Sequence, residues 1–318
     1  MKVDTLLING GGIKCCSYLG SFKYLIEKNI IKEDLSNIKH IYCYSAGMIY
    51  ILLLILKIPL KVAIQIFLRI DDSQLSTVDS FSFLSLFQKY GLFNNKYLET
   101  CFYHILDNFG FNTELTLRQL YTINPINLVV KVYNLSKNKD VYISYHTHPD
   151  FPLMKLLTMT TCIPIYFEPI SFEGDLYVDG GFSGRFSDTH FTSKYYLSLN
   201  VLTNHTQSID SFKEYLQKMC SSITGTNLSN KHTKRNIKLL TDFSVTDFSI
   251  GIEGKTELIQ QGYQQTHEWF SKKHSNKIPL TPPNHKKRHR KEKKNSSDLI
   301  YYKWKSISYQ YLLNNFHQ

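Results

Sequence analysis

The sequence predicts an α/β protein, and three observations support this fold class. Short apolar runs that are typical of strands alternate along the chain with segments of helical periodicity. The first run, residues 3–8, ends at a series of glycines. A second run, residues 40–44, ends at Ser45, and an apolar helical segment follows this serine directly. Strands and helices in this order bury their apolar faces against one another in layers.

The remaining elements follow in chain order. A helix is predicted at residues 17–28, and further strands at residues 126–133, 141–145, 176–178 and 195–201. The first two of these strands form a pair joined by a polar turn. The segment 71–120 is predicted to be mostly helical and to form a cap or an insertion.

The longest apolar stretch, residues 48–60, is a candidate for a membrane span. A bilayer span needs about 20 apolar residues, and Lys57 and Pro59 interrupt this stretch early. The sequence therefore predicts a buried helix after Ser45, because a helix that is apolar on all sides belongs in a protein core.

Composition divides the 318-residue chain into a main domain and a basic appendage. The whole chain has 42% hydrophobic and 20% charged residues and can bury a large core, which we assign to residues 1–275. Residues 276–298 are Pro-rich and then basic, and they supply much of the net charge of +11. A disordered linker is predicted there, with attraction to anionic membranes or a nucleic-acid address as alternatives. We do not expect nucleic acid as a partner.

The last segment, residues 299–318, is an aromatic amphipathic tail that either docks onto the main domain or forms an interfacial membrane helix. The six cysteines are scattered, without the spacing of a zinc site. No signal peptide opens the chain. We therefore predict a cytoplasmic protein that is not secreted and associates peripherally with membranes. No metal and no cofactor is predicted.

Ser45 lies in a turn between a predicted strand and a predicted helix, which is the setting of a nucleophile elbow. The positions two before and two after such a serine must be small, because strand and helix approach closely. Gly47 fits, and Cys43 is small enough to be compatible, although the full G-x-S-x-G pattern is not met. An ordinary helix N-cap would explain Ser45 about as well.

Asp179 ends another predicted strand and is followed by Gly180 and Gly181. A carboxylate within reach of Ser45 could accept its proton, and the glycines would permit close backbone approach. An Asp-Gly turn is the alternative interpretation.

A glycine run follows the first predicted strand, and its backbone N–H groups could stabilise an oxyanion. The run consists of Gly10, Gly11 and Gly12, with Lys14 close behind. Gly-rich loops also bind phosphates. However, Cys15 occupies the last glycine position of a G-x-G-x-x-G pattern, and no Lys-Ser or Lys-Thr pair of a P-loop follows. A nucleotide-binding fold is therefore disfavoured.

Together these residues resemble the patatin-like phospholipase family over about residues 2–270. The family has a Gly-rich oxyanion loop with a basic residue, a serine elbow and an Asp-Gly-Gly motif. The matching residues are Gly10, Gly11, Gly12, Lys14, Ser45, Gly47, Asp179, Gly180 and Gly181. The order and spacing of these motifs make the resemblance specific.

The resemblance implies a three-layer α/β/α sandwich with a mostly parallel central sheet over residues 1–275. It also implies a hydrolase that cleaves fatty-acyl esters of phospholipids or other acyl lipids. Ser45 would be the nucleophile and Asp179 the general base, without a catalytic histidine, and Lys14 would reinforce the oxyanion loop electrostatically. Cys15 and Cys43 stand where the family has glycines, which puts full activity in doubt.

Two other hypotheses stay open. An α/β-hydrolase triad of Ser45, Asp179 and His190 would satisfy the order of residues. A lipid-binding or scaffold protein that lost catalysis would explain the two cysteine substitutions. Other histidines are predicted to be surface or packing residues: His104, His146, His148 and His205.

Overall fold

The computed structural model describes residues 1–76, 82–184, 186, 193–204, 209, 215 and 235–275. Residues Met1–Ser275 pack as one unit. The linker predicted at residues 276–298 and the tail predicted at 299–318 lie outside the described residues, as do His190 and His205.

The described residues form a large mixed sheet and a separate small strand pair. The strands are β1 (Thr5–Ile8), β2 (His40–Cys43), β3 (Gly91–Phe93), β4 (Asn127–Asn134), β5 (Lys139–Ser144), β6 (Ile165–Phe167), β7 (Ile170–Phe172), β8 (Asp175–Asp179), β9 (Tyr196–Thr203) and β10 (Asn236–Thr241). In the large sheet, β10, β9, β1, β2 and β4 lie side by side in this order and are parallel. β5 and β8 are antiparallel to β4, and β7 is antiparallel to β8.

Helices surround this sheet. They are α1 (Ser17–Glu27), α2 (Ala46–Ile55), α3 (Leu60–Arg69), α4 (Ser82–Lys89), α5 (Lys96–Asn108), α6 (Leu117–Ile123), α7 (Leu153–Thr161) and α8 (Gly251–Ser275). Short 3₁₀ turns occupy Gly12–Cys16, Asp72–Ser76 and Gly180–Ser183. In the part of the chain that is described, no helix combines the length and the apolar character that crossing a membrane requires.

Most predicted elements are confirmed with small shifts of their ends, and the buried helix expected directly after Ser45 is confirmed as α2. Helix α2 ends at Ile55, and α3 begins at Leu60. Lys57 has a positive φ of 61°, and Pro59 disfavours helical backbone at the residue before it. The cap region is helical as expected, but it also contains strand β3, which pairs with β6.

Helices α1 and α8 touch at the backbone, because two glycines remove the side chains between them. A Cβ atom on Gly20 would lie 1.8 Å from the carbonyl oxygen of Ile259, and one on Gly262 would lie 1.9 Å from that of Ser17. The Ser21 hydroxyl, also between the helices, accepts a 2.8 Å hydrogen bond from Thr266. The last described helix therefore fixes the start of α1, which follows the predicted oxyanion loop.

Candidate active site

Ser45 has an unusual backbone conformation. Its φ of 54° and ψ of −145° place it in a region that L-residues rarely adopt, at a cost of about 1–3 kcal/mol. It precedes α2, yet its side chain makes no capping hydrogen bond to that helix. Ser45 thus occupies the N-cap position of α2, but its hydroxyl group does not cap the helix.

The register of the sheet brings the two predicted catalytic residues together. Cys43 at the end of β2 pairs with Val130 of β4, and Asp179 at the end of β8 pairs with Val132 of the same strand. Because β5 occupies the other edge of β4, β2 and β8 share one edge and run towards each other. Their carboxyl ends meet on either side of Lys131.

Two glycines allow the backbone to close around Ser45. A Cβ atom on Gly47 would lie 2.5 Å from the carbonyl oxygen of Ile8, so the helix start presses on the end of β1. A Cβ atom on Gly10 would lie 2.6 Å from the Cβ atom of Ser45. Cys43, by contrast, is completely buried within β2. The predicted need for small residues thus applies strictly at Gly47, while the fold accommodates the cysteine.

Asp179 is buried, and only one of its two carboxyl oxygens is hydrogen-bonded among the described residues. Oδ1 accepts a 2.7 Å hydrogen bond from the Gly181 N–H, whereas Oδ2 has no hydrogen-bond partner in the described part of the chain. Burial raises the pKa of Asp179 to about 6, while the nearby Ser45 hydroxyl, the Gly181 N–H and the Lys131 charge act to lower it. The carboxyl group of Asp179 therefore lies beside the Ser45 hydroxyl and becomes ionised near neutral pH.

The glycine loop supplies free backbone donors near Ser45. Among the described residues, the N–H groups of Gly10 and Gly11 form no backbone hydrogen bond. Gly12 has a φ of 59°, and a Cβ atom there would lie 1.9 Å from the Val245 carbonyl oxygen. That carbonyl also accepts a 3.1 Å hydrogen bond from the Ile13 N–H. The loop is thus closed at one end by Val245 and opens towards Ser45 at the other.

Lys14 supports this loop from the side of β9. Its side chain is buried, and Nζ donates a 2.9 Å hydrogen bond to the Thr203 hydroxyl. Burial lowers the pKa of Lys14 to about 8. Cys15 is completely buried behind the loop, with its Sγ 3.7 Å from the Asn9 carbonyl oxygen. Burial raises the pKa of this thiol well above its usual range.

A mostly apolar pocket opens beside Ser45. Its walls come from α2, α3, α5 and the segments after α7 and β10, and they include Ile49, Phe67, Leu98, Ile163, Phe167 and Phe248. Asp72 is the carboxylate in the lining, and it forms an ion pair with buried Lys255. Lys255 also donates hydrogen bonds to the carbonyl groups of Phe67, in α3, and of Ile70, just after it. A pocket of this character suits a hydrocarbon chain.

A family model described as patatin-like phospholipase matches residues 6–189. This span is more than half of the chain and contains both Ser45 and Asp179. The chain belongs to the patatin-like phospholipase family. An uncharacterized protein of Acanthamoeba polyphaga mimivirus is 24% identical to this patatin-like chain over 288 residues, covering 85% of the chain and 95% of the relative.

Two further relatives match less completely. A probable lipid hydrolase of Invertebrate iridescent virus 6 is 25% identical over 186 residues, which cover 57% of the chain and 61% of that relative. The crystal structure of VipD from Legionella pneumophila is similar with a TM-score of 0.58 and 17% identity, over 86% of the chain and 67% of VipD. This likeness confirms the predicted patatin-like α/β fold with its mostly parallel sheet.

The patatin-like site contains two residues that the sequence did not single out as functional. The Thr160 hydroxyl accepts a 2.8 Å hydrogen bond from the Ser45 N–H and donates a 2.9 Å bond to the Lys131 carbonyl oxygen. Lys131 itself is a completely buried cation in β4. A lysine inside the apolar run 126–133 was the available signal for it.

The described histidines lie elsewhere in this patatin-like structure. His146 contacts the rings of Tyr121 and Tyr145, and His148 contacts Phe151. These contacts agree with the predicted packing roles.

Proposed function

We propose that the protein is a lipid acyl hydrolase that cleaves fatty-acyl esters of phospholipids through an acyl-enzyme on Ser45. The observation that carries this proposal is that the strained turn at Ser45 places its hydroxyl group beside buried Asp179, one carboxyl oxygen of which has no other hydrogen-bond partner among the described residues. The family to which the chain belongs and the lipid hydrolase among its viral relatives support the substrate class. The apolar pocket beside Ser45 supports an acyl chain as the bound group.

In the first half-reaction, the Ser45 Oγ attacks the ester carbonyl carbon while Asp179 Oδ2 accepts the hydroxyl proton. The N–H groups of Gly10 and Gly11 face the negative charge that develops on the carbonyl oxygen. We assign Gly12 to the shape of this loop and Lys14 to its electrostatic support. The tetrahedral intermediate then collapses, the bond to the alcohol breaks, and Asp179 returns the proton to the leaving oxygen.

In the second half-reaction, water replaces the alcohol. Asp179 accepts a proton from the water as its oxygen attacks the acyl carbon, and the released Ser45 oxygen regains a proton from Asp179. The products are a free fatty acid and the unmodified enzyme. This cycle uses one nucleophile, one base and water.

We also propose that this hydrolase works at anionic membrane surfaces inside the cell. Residues 1–275 would form the catalytic domain, residues 276–298 a basic linker that attracts anionic lipid, and residues 299–318 an aromatic tail. The described cysteines are all unpaired, which supports a reducing compartment. Binding to anionic vesicles is expected to exceed binding to neutral vesicles at low salt and to weaken as salt rises.

The decisive test measures fatty-acid release from mixed phospholipid vesicles without added calcium. The wild-type protein is compared with Ser45→Ala and with Ser171→Ala, which removes an exposed serine of β7. Release should persist in Ser171→Ala and fall by at least about 10³-fold in Ser45→Ala. If a folded wild-type protein binds vesicles but releases no fatty acid and resists fluorophosphonate labelling, the lipid-binding or scaffold hypothesis replaces this proposal.

A further inference from the structure

Lys131 lies at the junction between the two halves of the candidate site. It is the β4 residue between Val130, which pairs with β2, and Val132, which pairs with Asp179. Its side chain is completely buried, and its neighbours on either side in the strand are valines. Burying an ammonium group is unfavourable unless it is paired and hydrogen-bonded, so its contacts indicate what the lysine does.

The ammonium group of Lys131 holds the turn that follows Asp179. Nζ donates a 2.8 Å hydrogen bond to the carbonyl oxygen of Gly184 and lies 3.3 Å from Oδ2 of Asp140. The other carboxyl oxygen of Asp140 accepts a hydrogen bond from the Ser183 hydroxyl. Lys131 and Asp140 together thus bind Ser183 and Gly184, at the end of this turn, to the β4–β5 pair.

The main chain of Lys131 reaches the other half of the site. Its carbonyl oxygen accepts a hydrogen bond from the Thr160 hydroxyl. The same hydroxyl accepts a hydrogen bond from the Ser45 N–H. A Cβ atom on Gly180 would lie 2.1 Å from the same carbonyl oxygen. Lys131 therefore contacts both Thr160, which binds the Ser45 backbone, and the turn that follows Asp179.

We propose that Lys131 is a positioning residue that fixes the Asp179 turn relative to Ser45 and whose positive charge keeps the Asp179 carboxylate ready to accept a proton. This inference rests on the proposed role of Asp179 as general base. Lys131 touches no reacting atom and acts through its neighbours. The charge and the geometry are separable by substitution, because Lys131→Arg keeps the positive charge and changes the shape of the side chain.

The other titratable groups that face Asp179 in the described residues are neutral. Cys15, behind the glycine loop, and Cys162, after α7, both sense the Asp179 charge. Burial raises the pKa of each thiol well above its usual range. Lys131 lowers the pKa of Asp179 from β4, and its own pKa is lowered by burial against the opposing charges of Asp140 and Asp179. Lys131 is thus the charged neighbour whose removal can be tested.

The experiment records the pH dependence of kcat/KM for a soluble short-chain ester. Lys131→Met should shift the acidic limb of the profile upward by about one pH unit. This shift lowers kcat/KM about five-fold at pH 6. Lys131→Arg keeps the positive charge and should leave the limb near its wild-type position. Asp140→Asn removes the negative charge that opposes Lys131 and leaves Lys131 in place. The pKa of Asp179 should therefore fall, and the acidic limb should shift to lower pH. Lys139→Met, an exposed lysine of β5, is the matched control and should change nothing.

A second readout titrates Asp179 directly, by carboxyl ¹³C NMR of aspartate-labelled protein with Asp179→Asn as the assignment control. Opposite shifts in Lys131→Met and Asp140→Asn support the inference even if the wild type proves inactive, in which case only the proposed function fails. The inference is overturned if the pKa of Asp179 is unchanged in both variants or shifts in the same direction in both. If Lys131→Met does not fold, the direction of the Asp140→Asn shift decides.

Discussion

The nucleophile half and the base half of the site are held in place by different forces. Ser45 is fixed by neutral contacts, namely the close approach of Gly10 and Gly47 and the hydrogen bond from its N–H to Thr160. Asp179 is fixed within a charged environment, where burial raises its pKa and Lys131 lowers it. Changes to these neutral contacts of Ser45 should therefore reduce activity equally at all pH values. Changes around Asp179 should move the pH profile.

The largest effect is expected for Asp179→Asn, which removes the base but keeps an oxygen for the Gly181 N–H. Activity should fall by about 10³-fold or more, as measured by fatty-acid release. Asp175→Asn, on the same strand, is the control and should retain activity.

The same variant should also become more stable at neutral pH. The folded pKa of Asp179 is raised from 3.8 to about 6, so folding favours the protonated carboxyl. That contribution is fully present below pH 3.8 and is lost as pH rises through about 6. At pH 7.5, Asp179→Asn should gain about 3 kcal/mol in the free energy of unfolding, measured by urea denaturation. An equal or larger gain at pH 4 would contradict this explanation.

Gly10→Ala should have the next largest effect. The new methyl group would lie 2.6 Å from the Ser45 Cβ atom, so the loop and the serine must move apart. We expect about a 10²-fold loss of kcat/KM with the shape of the pH profile unchanged. Gly110→Ala adds a methyl group where nothing lies within 4 Å. It should keep near-normal activity, although the φ of 71° at this position makes the variant about 1–2 kcal/mol less stable. A displaced acidic limb in Gly10→Ala would argue against the division into neutral and charged halves.

Thr160→Val should lower activity about ten-fold. The valine keeps the shape of the side chain but leaves the Ser45 N–H and the Lys131 carbonyl without their partner, which should also cost about 1–3 kcal/mol of stability. Thr158→Val, in the same helix, removes a hydroxyl that bonds only to carbonyls within α7. The comparison of kcat for the two variants isolates the contact with Ser45. Equal losses in both would assign the effect to helix packing.

Lys14→Met should give the smallest change, a few-fold loss confined to the region below about pH 8. Because burial lowers the pKa of Lys14 to about 8, its charge disappears as the pH rises through that value. The activity of the wild type should therefore fall as the pH rises through about 8. Lys14→Met should show no such alkaline limb in its pH profile. Lys39→Met, an exposed lysine, should keep the limb.

The catalytic candidates could be predicted from the sequence because each depends on local chemistry. A small residue after Ser45, a glycine run after β1 and the Asp179 turn are all visible as short patterns. Lys131 and Thr160 could not be predicted in this way, since their roles arise from the register of β4 and from a contact across 115 residues of sequence. The opposed directions of β2 and β8 were invisible for the same reason.

Strand β3 was missed for a simpler reason. It is a three-residue strand that pairs with β6, and so short a run carries no periodicity. This miss lies away from the Ser45 and Asp179 turns, which explains why the site was less affected than the cap.

The backbone contact between α1 and α8 sets a boundary on what can be expressed as a working fragment. The family match ends at residue 189, but α8 begins at Gly251 and carries both Gly262, which meets Ser17, and Lys255, which pairs with Asp72 in the pocket lining. A truncated protein that retains every motif residue would still expose the inner face of α1. We therefore expect the smallest active fragment to extend to the end of α8, some 86 residues beyond the last residue of the family match.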